Sequence, residues 1–405
     1  MFSLSSISEK ARQVHSKWLR SAPSTLHMAQ LQPTDNSLQS MPLQQSDYTR
    51  GIVLCLHKGI VAMGVSLIRE LRCLGNQEIV DVCTELLAEK GPKNLFLGER
   101  KKAQAFQNYW IKPLALYHTK LKEVILLDGD AVLLRDPAAI RAMSGYVRTG
   151  TTFFKDRVAR MNKFLNKKTD DGKPYIRHLV DSFPYKKLGL EGPAPSEQLR
   201  NTFAYRGDTG HEMDSSMVLV DKTRAGKAMD VLKELIFATR FQLTFSWGDK
   251  EAFWLAFELA HQDYFFSPWG LSLLESVPNN DLKAHPESMC GSMAHFLPTE
   301  NETDASELLY VNGKALLEPF PAGVEKTLKG KRSRMFNLNP THLTPRYRHS
   351  DFDLSSAKSF ECMDNLGSVP LPHYFFNRLL RRRFHYFAAE TTAYGALDQC
   401  PEQLE

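Results

Sequence analysis

Nowhere in its 405 residues does the chain approach the roughly 18 consecutive apolar residues that a membrane-spanning helix needs. The opening MFSLSSISEKARQVHSKWLR also lacks the apolar core of a secretory signal, so the chain reads as soluble where it is made, or as lacking an amino-terminal anchor. Membrane association is then expected only through an anchor not visible in it. The six cysteines, Cys55, Cys73, Cys83, Cys290, Cys362 and Cys400, include no closely spaced pair. That spacing excludes a zinc knuckle and a redox CxxC, and leaves the redox compartment open. One sign of charge hardly dominates: 51 Lys and Arg face 46 Asp and Glu, a formal net charge of +5. The excess is concentrated between residues 325 and 385, where a solvated basic surface is expected, the run Arg381-Arg382-Arg383 included. No nucleic-acid partner and no internal repeat are expected.

What is present is a globular composition, 42% hydrophobic and 24% charged, long enough to bury a sizeable core. Residues 1–47 are expected to be a disordered tail or stem, because TLHMAQLQPTDNSLQSMPLQQSD offers too little apolar surface to fold alone. Gly51–Leu56 then reads as a buried parallel strand, Val61–Leu74 as a helix closed by Gly75, and Glu78–Val82 as a second strand. A helix over Thr84–Lys90, a short strand over Asn94–Leu97 and a helix over Tyr109–Leu121 lead into the strongest strand, Glu123–Leu127. This alternation predicts an α/β fold with a mostly parallel central sheet flanked by helices. Nothing resembles a linker between 48 and 320, so one continuous catalytic unit is expected there, with 321–405 a basic, aromatic extension packing on it.

Asp128 and Asp130 stand at the carboxyl end of that strongest strand, where ligands bind in open α/β sheets. Two carboxylates separated by a glycine can reach one hard cation, Mn²⁺ or Mg²⁺, held against a diphosphate. The metal and diphosphate together form the neutralised leaving group that cleavage of a sugar–phosphate bond requires. The same D-G-D also fits a haloacid-dehalogenase-like phosphatase, with a nucleophilic Asp128, a general-acid Asp130 and Gly248-Asp249 as a distal acidic motif. Against this, such an aspartate ordinarily ends the first strand of its domain.

The blocks NYWIKPLALYHTKL, EVILLDGDAVLLRDP, TGTTFFKDRV, EMDSSMVLVDK and SWGDKEAFWLAFEL, in this order, resemble the fungal α-1,3-mannosyltransferases of the Golgi, glycosyltransferase family 71. The likeness extends from about Gly51 to Gly313. It implies a GT-A (Rossmann-like) fold, a nucleotide-sugar donor, GDP-mannose in the fungal members, a divalent cation usually supplied as Mn²⁺, and retention at the anomeric carbon. It further implies a glycan or glycoprotein acceptor and residence in the Golgi or secretory-pathway lumen, which the sequon Asn301-Glu302-Thr303 fits. A non-catalytic sugar-nucleotide-binding relative is the remaining alternative.

Carried onto these blocks, Asp128 and Asp130 match the metal and donor aspartates. Lys112, one helix earlier, is either a contact to ribose or diphosphate or a helix-surface lysine. His57 and Lys58 follow the first strand, where nucleotides dock near a helix start. Asp156 belongs to an acidic block on the donor or acceptor side, or to a local ion pair. Glu212, Asp214 and Ser215 precede a strand and are expected to line the cleft and bond sugar hydroxyls. Asp249, at the start of a helix, is either a plain N-cap or the group that contacts the sugar or acceptor hydroxyl. His295 is the candidate third metal ligand, a structural histidine being its other reading.

Overall fold

The computed structural model describes residues 28–30, 49–84, 106, 108–275, 288–317, 339–357 and 362–400. The expected helix over Thr84–Lys90, apart from Thr84, which lies in a strand, and the expected strand over Asn94–Leu97 lie outside these residues, as does most of the expected tail.

Six strands form the main sheet in the order β1-β3-β2-β4-β7-β6. They are β1 (Met28–Gln30), β2 (Arg50–Leu56), β3 (Ile79–Thr84), β4 (Glu123–Leu127), β6 (Thr151–Lys155) and β7 (Met213–Asp221). The centre is parallel: Gly51 to Leu56 of β2 pair with Ile79 to Thr84, and on the other side Arg50 to Leu54 pair with Glu123 to Leu127. The apolar runs in β2 and β4 suit burial on both faces: Ile52, Leu54, Ile125 and Leu127 pack into one hydrophobic cluster and Val53, Val124 and Leu126 into another. β7 returns antiparallel along β4, with Met217 opposite Leu127 and Asp221 opposite Glu123. That direction brings the start of β7 alongside the carboxyl end of β4, and its register with β6 shifts between Thr152 and Phe154.

Helix α1 (Val61–Cys73) covers the cluster of Ile52 and Leu54 with Leu67 and Leu71. On the opposite face lie α2 (Ile111–His118), α3 (Ala228–Glu234) and α4 (Lys250–Leu259), the last buried at every residue from Glu251 to Leu259. A second, antiparallel sheet begins immediately after β4. Its order is β5-β10-β9-β8, formed by β5 (Ala131–Leu133), β10 (Leu308–Asn312), β9 (Met293–Phe296) and β8 (Ser272–Leu273).

Helix α5 (His373–Glu390) packs across α1 and β5. Its Phe375 and Leu379 join Val132, Leu134 and Ala294 in one cluster. The expectation of a solvated Arg381-Arg382-Arg383 run is corrected here, because Arg381 and Arg382 are 3% and 0% exposed. Arg381 forms an ion pair with the buried Glu70 of α1, and Arg383 donates to the Leu316 carbonyl at 2.7 Å. Two disulfides tie remote segments, Cys73 to Cys400 and Cys290 to Cys362, while Cys55 and Cys83 are free thiols facing each other across β2 and β3.

Candidate active site

The chain leaves β4 at Asp128, whose backbone N–H donates to the Ser216 carbonyl at 2.8 Å, and turns back so that Ala131 N donates to Asp128 O. Gly129 packs closely at this bend, where a Cβ would stand 3.2 Å from Leu56 Cδ2 and require that side chain to shift. Asp128 and Asp130 are half-buried side by side. Loss of hydration pushes both carboxyls up to about 6, opposed at Asp128 by Lys112 and reinforced at Asp130 by the charge of Asp128. No cation lies within ion-pairing distance of Asp130 among the described residues. A pair of hard oxygen donors short of positive charge suits a divalent ion that takes its other ligands from diphosphate and water.

Lys112 is buried, so it is not a helix-surface lysine. Its hydrogens are already directed at protein acceptors: Nζ lies 2.9 Å from Asp128 Oδ1, 2.9 Å from Ser215 O and 3.1 Å from Ser215 Oγ. The expected contact to ribose or diphosphate is therefore replaced by a bond that orients Asp128. Burial opposes the ammonium, but Asp128, Asp249 and Asp214 outweigh it and raise its pKa.

Asp249 occupies the position before α4 yet makes no side-chain cap. Its carboxylate turns inward: Oδ1 accepts from Ser215 Oγ at 3.3 Å, and the buried Oδ2 is ion-paired with Lys112 Nζ at 3.5 Å without accepting a hydrogen bond. Burial raises its pKa, with Lys112 working in the opposite direction. A buried carboxylate oxygen that accepts no hydrogen bond from the protein can take one from a ligand hydroxyl.

His295 does not join Asp128 and Asp130. Its Nε2 is 2.8 Å from Asp214 Oδ2, its ring stacks on Tyr310 at 4.9 Å, and no group of three His, Cys, Asp or Glu side chains able to hold a metal exists among the described residues. The expected third ligand is thus committed to a second carboxylate. Asp214 is further bonded by Ser216 through both its N–H and Oγ, and Ser216 Oγ meets Tyr310 Oη at 2.9 Å. Burial disfavours its charge, but His295 and Ser216 hold its pKa below the ordinary value.

Glu212 and Asp156 lie outside the chemistry expected of them. Glu212 is 1% exposed, with Oε1 2.9 Å from Lys155 Nζ and Oε2 accepting from Ala204 N. Asp156, also buried, pairs with Lys250 and accepts from Arg157 N. Both have their oxygens engaged within the protein and so buttress the sheet end. His57 is exposed at the end of β2, where Nδ1 accepts from Gly59 N, and the Lys58 side chain lies outside the description.

Two residues escaped sequence reasoning. Glu251, fully buried on α4, accepts from Glu212 N and Trp254 Nε1 and so secures the start of β7. Arg382, on α5, donates to Gly129 O at 2.6 Å from beneath the turn. The signal for Glu251 lay in its place among Phe253, Trp254 and Phe257 on an otherwise apolar helix. For Arg382 no local signal exists. The phosphatase reading fares poorly, since three strands of the main sheet precede β4 in the chain.

The family model described as "Mannosyltransferase putative" matches residues 49–296. The chain is similar to "Putative alpha-1,3-mannosyltransferase MNN1" of Candida albicans, 29% identical over 183 residues, or 44% of this chain and 21% of that protein. "Probable alpha-1,3-mannosyltransferase MNT4" of Saccharomyces cerevisiae is 23% identical over 254 residues, 54% of this chain and 43% of that one. "Alpha-1,3-mannosyltransferase MNN1" of Saccharomyces cerevisiae is 24% identical over 223 residues, 51% and 28% of the two chains. The chain spans less than half the length of each of these relatives. Among solved structures, the bifunctional glycosyltransferase WbbM aligns over 60% of this chain and 41% of its own at 13% identity, with a TM-score of 0.30.

Proposed function

This chain belongs to the fungal-type mannosyltransferase family, and from that premise we propose that it is a retaining α-mannosyltransferase using GDP-mannose and a divalent cation, most readily Mn²⁺. The acceptor is a hydroxyl of a glycan or glycoprotein. The observation that carries the reading is the turn Asp128-Gly129-Asp130 at the end of β4, with both carboxyls pushed up to about 6. Such a pair gains most from a cation.

When bound, the cation neutralises the diphosphate as it departs. The protein's own part is orientation. Lys112, itself held by Ser215, holds Asp128, leaving its other oxygen and Asp130 to face the donor. Asp249, whose Oδ2 is ion-paired with Lys112 but accepts no hydrogen bond, is placed to accept from a hydroxyl of the transferred sugar or the acceptor. Asp214, fixed by His295 and Ser216, lines the other side. His57 and Lys58 are proposed to meet the nucleotide at the end of β2. In this reading the acceptor attacks from the leaving-group face, and a phosphate oxygen of the donor takes its proton, so no side chain forms a bond to the sugar. The two disulfides and the exposed sequon support residence in the secretory-pathway lumen.

A donor screen by nucleotide release in Mn²⁺, with Asp130→Asn alongside, tests this. GDP-mannose should be consumed by the wild type, and Asp130→Asn should lose activity by about 10²-fold or more. Near-normal turnover by the variant would remove the turn from the mechanism, and no release from any sugar nucleotide would overturn the reading itself.

A further inference from the structure

The turn that carries the two aspartates is held from below by a residue 253 positions away in sequence. Arg382 is 0% exposed, and each of its three guanidinium nitrogens has an acceptor. Nη2 lies 2.6 Å from Gly129 O and 3.0 Å from Met63 O, Nε 3.2 Å from Ala131 O, and Nη1 bonds Ser66 Oγ. Gly129 O and Ala131 O are the carbonyls on either side of Asp130. A guanidinium presents its donors in one rigid plane, so gripping both fixes the peptide unit that precedes Asp130 and the one that follows Ala131, and with this backbone the direction in which the Asp130 carboxylate leaves the chain. Lysine could serve one of these carbonyls but not both in a fixed geometry.

The helix bearing Arg382 is itself fastened. Arg381 pairs with buried Glu70 of α1, and Cys73 at the end of α1 is bonded to Cys400 beyond α5. Met63 and Ser66, the other partners of Arg382, are on α1 as well. The guanidinium therefore ties three things at one point: the turn, the helix that follows β2, and the carboxy-terminal helix.

We infer that Arg382 is a positioning residue for the Asp128-Gly129-Asp130 turn, through which the carboxy-terminal helix holds that turn in its cation-binding shape before any ligand arrives. The inference rests on the reading that this turn binds a divalent cation and a nucleoside diphosphate.

The test compares wild type with Arg382→Lys and with Leu379→Ala. Leu379 is a buried residue of the same helix, and its truncation loosens α5 without touching the turn carbonyls. Three quantities are read: Mn²⁺ binding by electron paramagnetic resonance of the free ion, GDP affinity with and without Mn²⁺, and amide hydrogen exchange of residues 128–134 without metal. Arg382→Lys should weaken Mn²⁺ binding by about 10- to 100-fold and speed exchange in 128–134. Leu379→Ala should lower thermal stability while leaving Mn²⁺ binding within about twofold of wild type. Equal losses in the two variants at matched stability, or wild-type behaviour of Arg382→Lys, would overturn the inference. Should Arg382→Lys fail to fold, the double variant Cys73→Ser/Cys400→Ser keeps Arg382 and cuts the tether. Exchange should then rise together in α5 and in 128–134, and a rise in α5 alone would overturn it. A wild type whose GDP affinity ignores Mn²⁺ would instead sink the functional reading, while the exchange data still judge the clamp.

Discussion

Lys112 sits among more negative charge than one ammonium can neutralise, with Asp128 at 2.9 Å, Asp249 at 3.5 Å and Asp214 close enough to raise its pKa. Removing it leaves buried carboxylates uncompensated, so Lys112→Met should cost about 3–5 kcal/mol in calorimetry. A cost under about 1 kcal/mol would return Lys112 to the surface role. Asp130 predicts the opposite sign. Its folded-state pKa, about 6, lies above its ordinary value, so ionisation costs the metal-free protein stability as pH rises between about 4 and 6. Asp130→Asn should therefore stabilise the protein in EDTA by about 1 kcal/mol above pH 6, an advantage that vanishes near pH 4. Thermal melts across that range decide it. Glu212 differs again: burial opposes its charge, but Lys155 and His349 bring it down to about 2. Its contribution is complete above its ordinary value and disappears as pH falls toward 2. Glu212→Gln should cost about 3 kcal/mol at pH 7 and progressively less in acid, with kcat per folded molecule unchanged.

The elements that position the turn were legible wherever local pattern decides them. β4 occupies the span its apolar run predicts, α1 ends at Cys73 against an expected Leu74, and β2 begins one residue early at Arg50. What periodicity cannot supply is the partner. MVLVDK reads as a strand, but nothing in it says that β7 runs antiparallel to β4 and starts four residues earlier at Met213. That pairing is what carries Asp214 and Ser215 to Asp128. For the same reason His295 read as a candidate metal ligand or a structural histidine with no partner assigned, and its carboxylate partner comes from a strand 81 residues away. Asp249 was legible in position but ambiguous in role, until its side chain was seen to decline the cap. The start of β7 depends on Glu251 of α4, whose Oε1 accepts from Glu212 N and whose Oε2 accepts from Trp254 Nε1 at 2.6 Å. Glu251→Ala strands those donors inside the core, so a loss of about 2–4 kcal/mol is expected, with weaker donor binding because Asp214 shifts. Nucleotide affinity equal to wild type would show that α4 does not set the cleft.

At the scale of the molecule, the family match ends at residue 296 while the packing does not. Phe375 and Leu379 of α5 share a cluster with Val132 and Leu134, which closely follow the Asp128-Gly129-Asp130 turn, and Arg382 reaches the turn itself. The basic character of residues 325–385 suggested a surface because charge is counted along sequence, whereas burial depends on which acceptors lie opposite in space. Glu70 and the carbonyls of Met63, Gly129 and Ala131 are those acceptors, and they belong to segments more than 250 residues away. The disulfide between Cys73 and Cys400 spans 327 residues and joins the same two regions. A fragment ending at residue 320 would therefore uncover the apolar faces of α1 and β5 and leave the turn carbonyls without donors, a combination of exposed core and unpaired polar groups that marginal stability does not absorb. Such a fragment should aggregate or melt without a cooperative transition, and should lack Mn²⁺-dependent affinity for GDP. Calorimetry and nucleotide titration of residues 1–320 beside the full chain would measure this. A fragment that melted cooperatively and bound GDP as the full chain does would reduce α5 to a peripheral attachment.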